Sequence, residues 1–368
     1  MFAYTLTVRK LVQKLMEDYL LFTMNTDVEK KKKTKKKIEL PLIEPIYSTY
    51  HYQGTGSATL VNNPSIRNWY LNQVMILTCS RKFLNGSTTP EIKIVQSSWK
   101  ENPYLDRKVY NMQFLEGYTH FVIRKLLDAG YYVYFSRIDD YYVEGKSWYH
   151  ERHFKHDGCI CGYNQENKTY CIYAYDHNWI YQKFWTTQKS FDAGRKAEFK
   201  KRNFGNIYGI KPKEDQIEFS HETALKKIAE YLDSNMEKYP ETAEGTVFGI
   251  VVHDYIAKYV GKLYDGSIPY KKMDRRIFRM IWEHKKAMLE RLELIETRLS
   301  IDHSISNAYR SVVCEADLCR MLYATYHIRQ KNSLLPIIQK KLLNLKNQEQ
   351  ELLHNLLQKS KEQDNKEN

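Results

Sequence analysis

His153-Phe154-Lys155-His156-Asp157-Gly158-Cys159-Ile160-Cys161-Gly162-Tyr163 is the stretch on which the reading of the fold turns. It is apolar from Gly158 onward and runs into a polar turn, Asn164-Gln165-Glu166-Asn167-Lys168. Thr169 to Tyr175 reads as a second strand, and after Asp176 and Asn178 the run Trp179 to Trp185 reads as a third. Three β-type runs joined by short polar turns predict an antiparallel meander. In a meander the start of one strand lies beside the end of its hairpin partner. His156 is therefore expected beside Asp176, and a His oriented by a carboxylate is the general-base half of a nucleophilic triad. A surface His and a turn Asp give the same spacing, so the pair alone leaves both readings open.

Working outward, Tyr131 to Ile138 is a short, strongly apolar strand, preceded by a helix over Met112 to Asp128 that stops at Gly130. Glu91 to Gln96 is a strand candidate. Asn68 to Cys79 has helical spacing and is entered through Asn62, Asn63, Pro64 and Ser65. After Ile210 the apolar period changes to that of helices. Ser220 caps one, Thr246 to Leu263 forms a second, and Ile277, Ile281, His284, Met288, Leu292, Ile295 and Leu299 stripe a third. Ala308 to Tyr326 supplies a fourth. Ser333 caps the last, where Leu335, Ile338, Leu342, Leu345, Leu352 and Leu356 alternate spacings of three and four, with Glu349 in the remaining slot. This heptad seam is expected inside an antiparallel bundle, with self-association through the C-terminal helix as the alternative.

The 368 residues carry a net charge of +13, and ten of the basic groups fall within residues 1–37 against four acidic ones. The body is thus mildly basic, which is not a nucleic-acid footprint. Leu6 to Phe22 is amphipathic and the Lys30–Lys37 run follows it, a segment read as a solvated basic arm. Met24 is an alternative start that would leave the first 23 residues outside the protein. No apolar run approaches the ~20 residues that cross a bilayer, so no membrane partner is expected. The six scattered cysteines read as free thiols of a cytoplasmic protein. Cys159, Cys161 and Cys171 lack the paired spacing of zinc knuckles and read as small core residues. Gly54-Thr55-Gly56-Ser57 is not followed by Lys-Ser or Lys-Thr, so it is no phosphate-binding loop. No cofactor and no metal are expected.

The block Lys146-Ser147-Trp148-Tyr149-His150-Glu151-Arg152-His153-Phe154-Lys155-His156-Asp157, running into Gly162-Tyr163-Asn164, resembles the butirosin biosynthesis protein H N-terminal family. Gly130 to Tyr134 and Asp139-Asp140-Tyr141-Tyr142 resemble the strand and turn before that motif, and the helical tail is similar too. The resemblance covers residues 40–358 and implies an α+β fold. A papain-like domain with an antiparallel sheet (40–215) would be followed by a C-terminal helical bundle (216–358), flanked by the basic segment 1–39 and a polar tail 359–368. It implies an acyl-transfer protein of a peptide or natural-product pathway, with His156 as base and acid, Asp176 orienting it, and an acyl or peptidyl carrier protein as partner. Trp148, Tyr149 and Trp179 would line the substrate groove, although core packing explains them equally well.

The resemblance also implies a cysteine at a helix N-terminus, where the dipole favours a thiolate. The helix expected there, Asn68 to Cys79, has none at its start. Cys79 at its far end reads as a buried structural thiol. Ser65 is the remaining nucleophile candidate and begins with a much less acidic hydroxyl. Three readings follow: altered acyl transfer through Ser65, a catalytically inactive relative, or a binding and scaffold protein for a carrier protein or peptide.

Overall fold

A computed structural model describes residues 36–59, 63–200, 205–215, 217–235 and 245–367. The expected helix over 6–22 and the start of the lysine run lie outside the described residues. From Lys37 the chain runs through strand β1 (Lys37–Glu39), helix α1 (His51–Thr59), helix α2 (Pro64–Gln73) and strands β2 (Leu77–Ser80), β3 (Ile92–Ile94) and β4 (Leu105–Asn111). Helix α3 (Thr119–Asp128) and strand β5 (Tyr132–Asp139) follow. The meander comes next as β6 (Lys155–Asn164), β7 (Thr169–Tyr175) and β8 (Tyr181–Thr187). Then come α4 (Gln188–Lys200), β9 (Asn206–Pro212), α5 (His221–Asp233), β10 (Thr246–Phe248), α6 (Val252–Tyr264), α7 (Arg276–Arg298), α8 (Ser304–Arg329) and α9 (Leu334–Glu367).

The fold is α+β. Among the described residues the main sheet has seven strands in the order β4-β9-β5-β6-β7-β8, with β1 paired to β6. Every pair along that path is antiparallel, and the predicted meander forms with Cys159 opposite Tyr173 and Tyr170 opposite Thr186. A bulge after Ile160 turns the Cys161 carbonyl to accept from Leu40 N (2.7 Å). Gly162 makes this possible, because a Cβ there would meet the Ile38 carbonyl at 2.5 Å. A second sheet, β10-β2-β3, joins the two halves of the sequence, pairing Val247 with Cys79.

Several elements depart from the sequence reading. The helix expected over Asn68–Cys79 is α2, which starts and ends earlier. Asn63 caps it by accepting from Ser65 N (2.9 Å), and Pro64 occupies its first turn, where no N–H is needed. At its other end the buried Arg291 guanidinium from α7 donates to the Leu71 (2.8 Å) and Tyr70 (3.0 Å) carbonyls, filling acceptors that a longer helix would use. Cys79 therefore lies on a strand. The helix expected over Met112–Asp128 splits into a 3-10 turn, Met112–Leu115, and α3. Thr246–Phe248 is a strand and not the start of α6.

The C-terminal seam is filled by its own chain. Leu335, Ile338, Leu342, Leu345 and Leu356 are buried, with Leu353 in place of the expected Leu352, and α9 packs on α6 and α8. This is the packing inside an antiparallel bundle that the heptad spacing leads one to expect. Glu349, in the polar slot, meets Lys285 of α7 at 2.7 Å and accepts from the Tyr231 and Tyr309 hydroxyls. All four are buried. Desolvating two charges offsets much of their attraction, so such a pair adds little net stability over apolar residues of similar volume, although removing one partner is costly. One continuous core passes through residues on both sides of the expected 215/216 boundary, which is not a break in packing. Ile38–Asn368 forms a single compact unit.

Candidate functional site

Helix α1 sets the site. Its residues His51-Tyr52-Gln53-Gly54-Thr55-Gly56-Ser57-Ala58 are nearly all buried, so it shows no amphipathic stripe. Small residues let it sink against the sheet: a Cβ on Gly54 would sit 2.5 Å from the Tyr181 ring of β8. The segment entering α1 is held from the helical half of the molecule. The Glu283 carboxylate of α7 accepts from Ser48 N (2.9 Å), Ser48 Oγ (2.7 Å), Thr49 N (3.1 Å) and Thr49 Oγ1 (2.8 Å). Arg279 braces the same carboxylate at 3.0 Å.

This arrangement delivers His51, the first residue of α1, onto His156, the second residue of β6. Their rings meet edge to face with centroids 4.0 Å apart. His156 keeps 24% of its side chain exposed, whereas His51 is buried. His51 Nε2 accepts the Tyr175 N–H at 3.3 Å. Burial, then the neighbouring His156 and Lys146, hold its pKa well below the ordinary histidine value. The ring is thus neutral at pH 7, with its proton on Nδ1 and its lone pair on Nε2 engaged.

The carboxylate that orients His156 is Asp140, not Asp176. His156 Nδ1 lies 2.8 Å from Asp140 Oδ2, and Lys146 Nζ lies 3.3 Å from Asp140 Oδ1. Asp140 and Lys146 are both fully buried. Lys146 also donates to the Asp157 carbonyl (3.0 Å). Burial lowers the His156 pKa, Lys146 lowers it further, and Asp140 offsets part of this. Neutral His156 donating from Nδ1 to Asp140 leaves Nε2 as the basic nitrogen, the form a general base needs. Asp139 repeats the device one residue earlier, meeting His153 Nδ1 at 2.9 Å.

The expected partner, Asp176, is occupied elsewhere. Its carboxylate accepts from Asn178 N (2.9 Å), Ile180 N (2.9 Å) and Gln182 Nε2 (2.6 Å), closing the β7–β8 turn, and its backbone bridges to Lys146. Ser65 is buried in the first turn of α2, where its Oγ accepts from Ile217 N (3.0 Å). The rings packed on His156 are His51 and Phe154. Trp148 and Trp179 are brought together, 5.0 Å between centroids, while Tyr149 stacks instead on His150.

None of the six cysteines is in a disulfide. Burial pushes the Cys79 thiol up to about 12 and raises Cys159 as well. Cys161 and Cys171 face one another at 3.6 Å inside the sheet, and Cys314 is exposed on α8. Among the described residues no group of His, Cys, Asp and Glu could hold a metal ion, and no helix is long and apolar enough to cross a membrane.

No family model and no curated protein matches this chain. The residues missed in the sequence are His51, Asp140 and Lys146. Asp140 and Lys146 flank the turn between β5 and β6. His51 begins a small-residue run whose helical character carries no periodic signal.

Proposed function

We propose that the chain is a papain-like acyl-transfer-type protein of a peptide or natural-product pathway in which His51 occupies the place of the acyl-accepting thiol. On this reading it works in the cytoplasm by binding an acyl or peptidyl carrier protein, or a peptide, and does not form an acyl-enzyme. The observation that carries the reading is the His51 ring, at a helix N-terminus and edge-on to a carboxylate-oriented His156. A papain-like site needs a thiolate at that point, stabilised by the helix dipole and the neighbouring imidazole. The resemblance around Gly162-Tyr163 supports the same assignment.

His51 does not replace the thiol chemically. A nucleophile must offer a lone pair to the thioester carbonyl, and the lone pair of the neutral ring is engaged by Tyr175 N–H. The ring also fills the space beside His156 that the tetrahedral centre would need. The base is therefore retained while the group it should activate is absent.

The test is restoration. His51→Cys puts a thiol at the first position of α1, where it can attack an acyl-pantetheine thioester, expel the pantetheine thiol and retain the acyl group. The variant is expected to gain the mass of one acyl group, and the native chain none. His51→Cys combined with His156→Ala should lose most of the labelling rate. Acylation of the native chain, or a folded His51→Cys protein that stays unlabelled, would overturn the reading.

A further inference from the structure

The main sheet ends at β4, and the outer side of that strand is open. Among the described residues β4 pairs with β9 alone, and its seven residues match Asn206–Pro212 without a shift of register. Lys213 N donates to the Tyr104 carbonyl (3.0 Å) and Met112 N to the Gly205 carbonyl (3.0 Å), which fixes the phase of the ladder. The even-numbered residues of β4 therefore exchange hydrogen bonds with β9, and the N–H and C=O groups of Arg107 and Val109 point away from it. No hydrogen bond among the described residues reaches those outward groups.

Sheet edges are ordinarily blunted by shortness, proline, a bulge or charge. β4 has only the last of these, and on the face that carries Val109 the charge is of one sign. Val109 is 59% exposed, and Phe114 in the turn after β4 is 65% exposed. Arg107 shares the Val109 face, two residues away, and its guanidinium donates to the Lys100 carbonyl. The Lys100 ammonium lies over the rings of Trp99 (5.6 Å) and Tyr208 (5.1 Å), and Tyr208 is the residue opposite Val109. Both cations thus border Val109. Both are exposed, and neither forms an ion pair among the described residues. The acids beside them in the chain are engaged elsewhere: Glu101 accepts from Ser98 N (3.1 Å), and Asp106, on the other face, accepts from the Tyr131 hydroxyl.

We infer that the outer edge of β4 binds an extended acidic peptide, which adds to the sheet as a further strand. The peptide backbone exchanges hydrogen bonds with Arg107 and Val109, its carboxylates meet Arg107 and Lys100, and its apolar side chains cover Val109. The same two cations oppose a second copy of this chain, whose own β4 would bring like charges to the edge. β9 and β5 separate this edge from β6, so the inference stands apart from the reading of His51.

Fluorescence anisotropy of the full chain with a labelled peptide alternating glutamate and valine tests it. The other arms are a lysine–valine peptide and the glutamate–valine peptide with N-methylated backbone amides. The unmodified glutamate peptide is expected to bind at least tenfold more tightly than either. Val109→Pro removes an outward N–H and no ladder bond, so it should weaken binding at least tenfold while the protein still unfolds cooperatively. Arg107→Glu combined with Lys100→Glu, both at exposed positions, should turn the preference toward the lysine peptide. A native chain that binds no peptide, or binds the N-methylated one equally well, would overturn strand addition. Equal binding of the lysine peptide, or a charge-reversed variant with unchanged preference, would overturn the acidic assignment. A dimer in sedimentation velocity that Val109→Pro abolishes would give the edge to a second copy and overturn the peptide reading.

Discussion

Replacing Asp140 with Asn removes the charge faced by both His156 Nδ1 and Lys146 Nζ, leaving an ammonium buried without a counter-ion. Breaking one side of a buried ion pair costs about 3–5 kcal/mol, and that loss is expected for Asp140→Asn in urea unfolding. Asp176→Asn loses hydrogen bonds to backbone and amide donors and no ion pair. It should cost about 1–2 kcal/mol. Equal costs for the two would contradict the assignment of Asp140 as the carboxylate of the site. Strand order alone could not separate these two aspartates. The register of β6 with β7, continued past Cys159, points His156 toward Asp176, and the sequence reading followed it. In the structure the Lys146 backbone bridges to Asp176, while His156 pairs with Ile138 of β5, whose next turn carries Asp140. A residue between β5 and β6 took the place that hairpin geometry alone would give to the end of β7.

At the scale of elements, α1 is aimed by α7. Glu283 holds Ser48 and Thr49 just before His51, so its role is positional, and it reaches the site through the helix entry. Glu283→Gln is expected to remove about 1.5–3 kcal/mol of stability, the range for hydrogen bonds to a charged group. It should also move the imidazole NMR resonances of His51 and His156. Those of His120, which is held by Tyr170 and Asp192, should stay in place. Resonances of the first two that do not move would reduce Glu283 to a purely structural brace. The meander was legible because strands carry their β-branched and aromatic residues between polar turns. Helix α1 was not, because a helix buried on nearly all sides has no apolar stripe, and glycines at Gly54 and Gly56 are poor helix formers. Leu77–Ser80 was misread for the opposite reason: Val74-Met75-Ile76-Leu77 extends the apolar spacing of α2 although the backbone there is no longer helical.

For the whole molecule, His51, His156, His253 and His284 all have pKa values below the ordinary histidine value of 6.5, each chiefly through burial. Below pH 6.5 the unfolded chain binds protons that the folded chain refuses, so stability rises with pH across that window and falls as pH drops. Each histidine contributes up to about 1.4 kcal/mol per pH unit. The carboxylates of Asp176 and Asp192, held below 3.8, lose their contribution only at lower pH. The calorimetric unfolding midpoint is therefore expected to change little from pH 7.5 to pH 6.5 and to fall between pH 6.5 and pH 5.5, and a midpoint flat or rising across that lower window would contradict burial of these rings in neutral form. His284 of α7 also ties the helical half to the first half of the sequence, its Nε2 donating to the Met75 carbonyl (2.7 Å) between α2 and β2. That continuity was hidden in the sequence, where the change of period after Ile210 suggested a domain boundary. The proposed function turns on the position where the N-terminus of α1 meets His156. The most direct measurement is the intact mass of the native and His51→Cys proteins after incubation with an acyl-pantetheine thioester. The expected result is one added acyl group on the variant alone; an acylated native chain, or a folded variant that gains nothing, would contradict it.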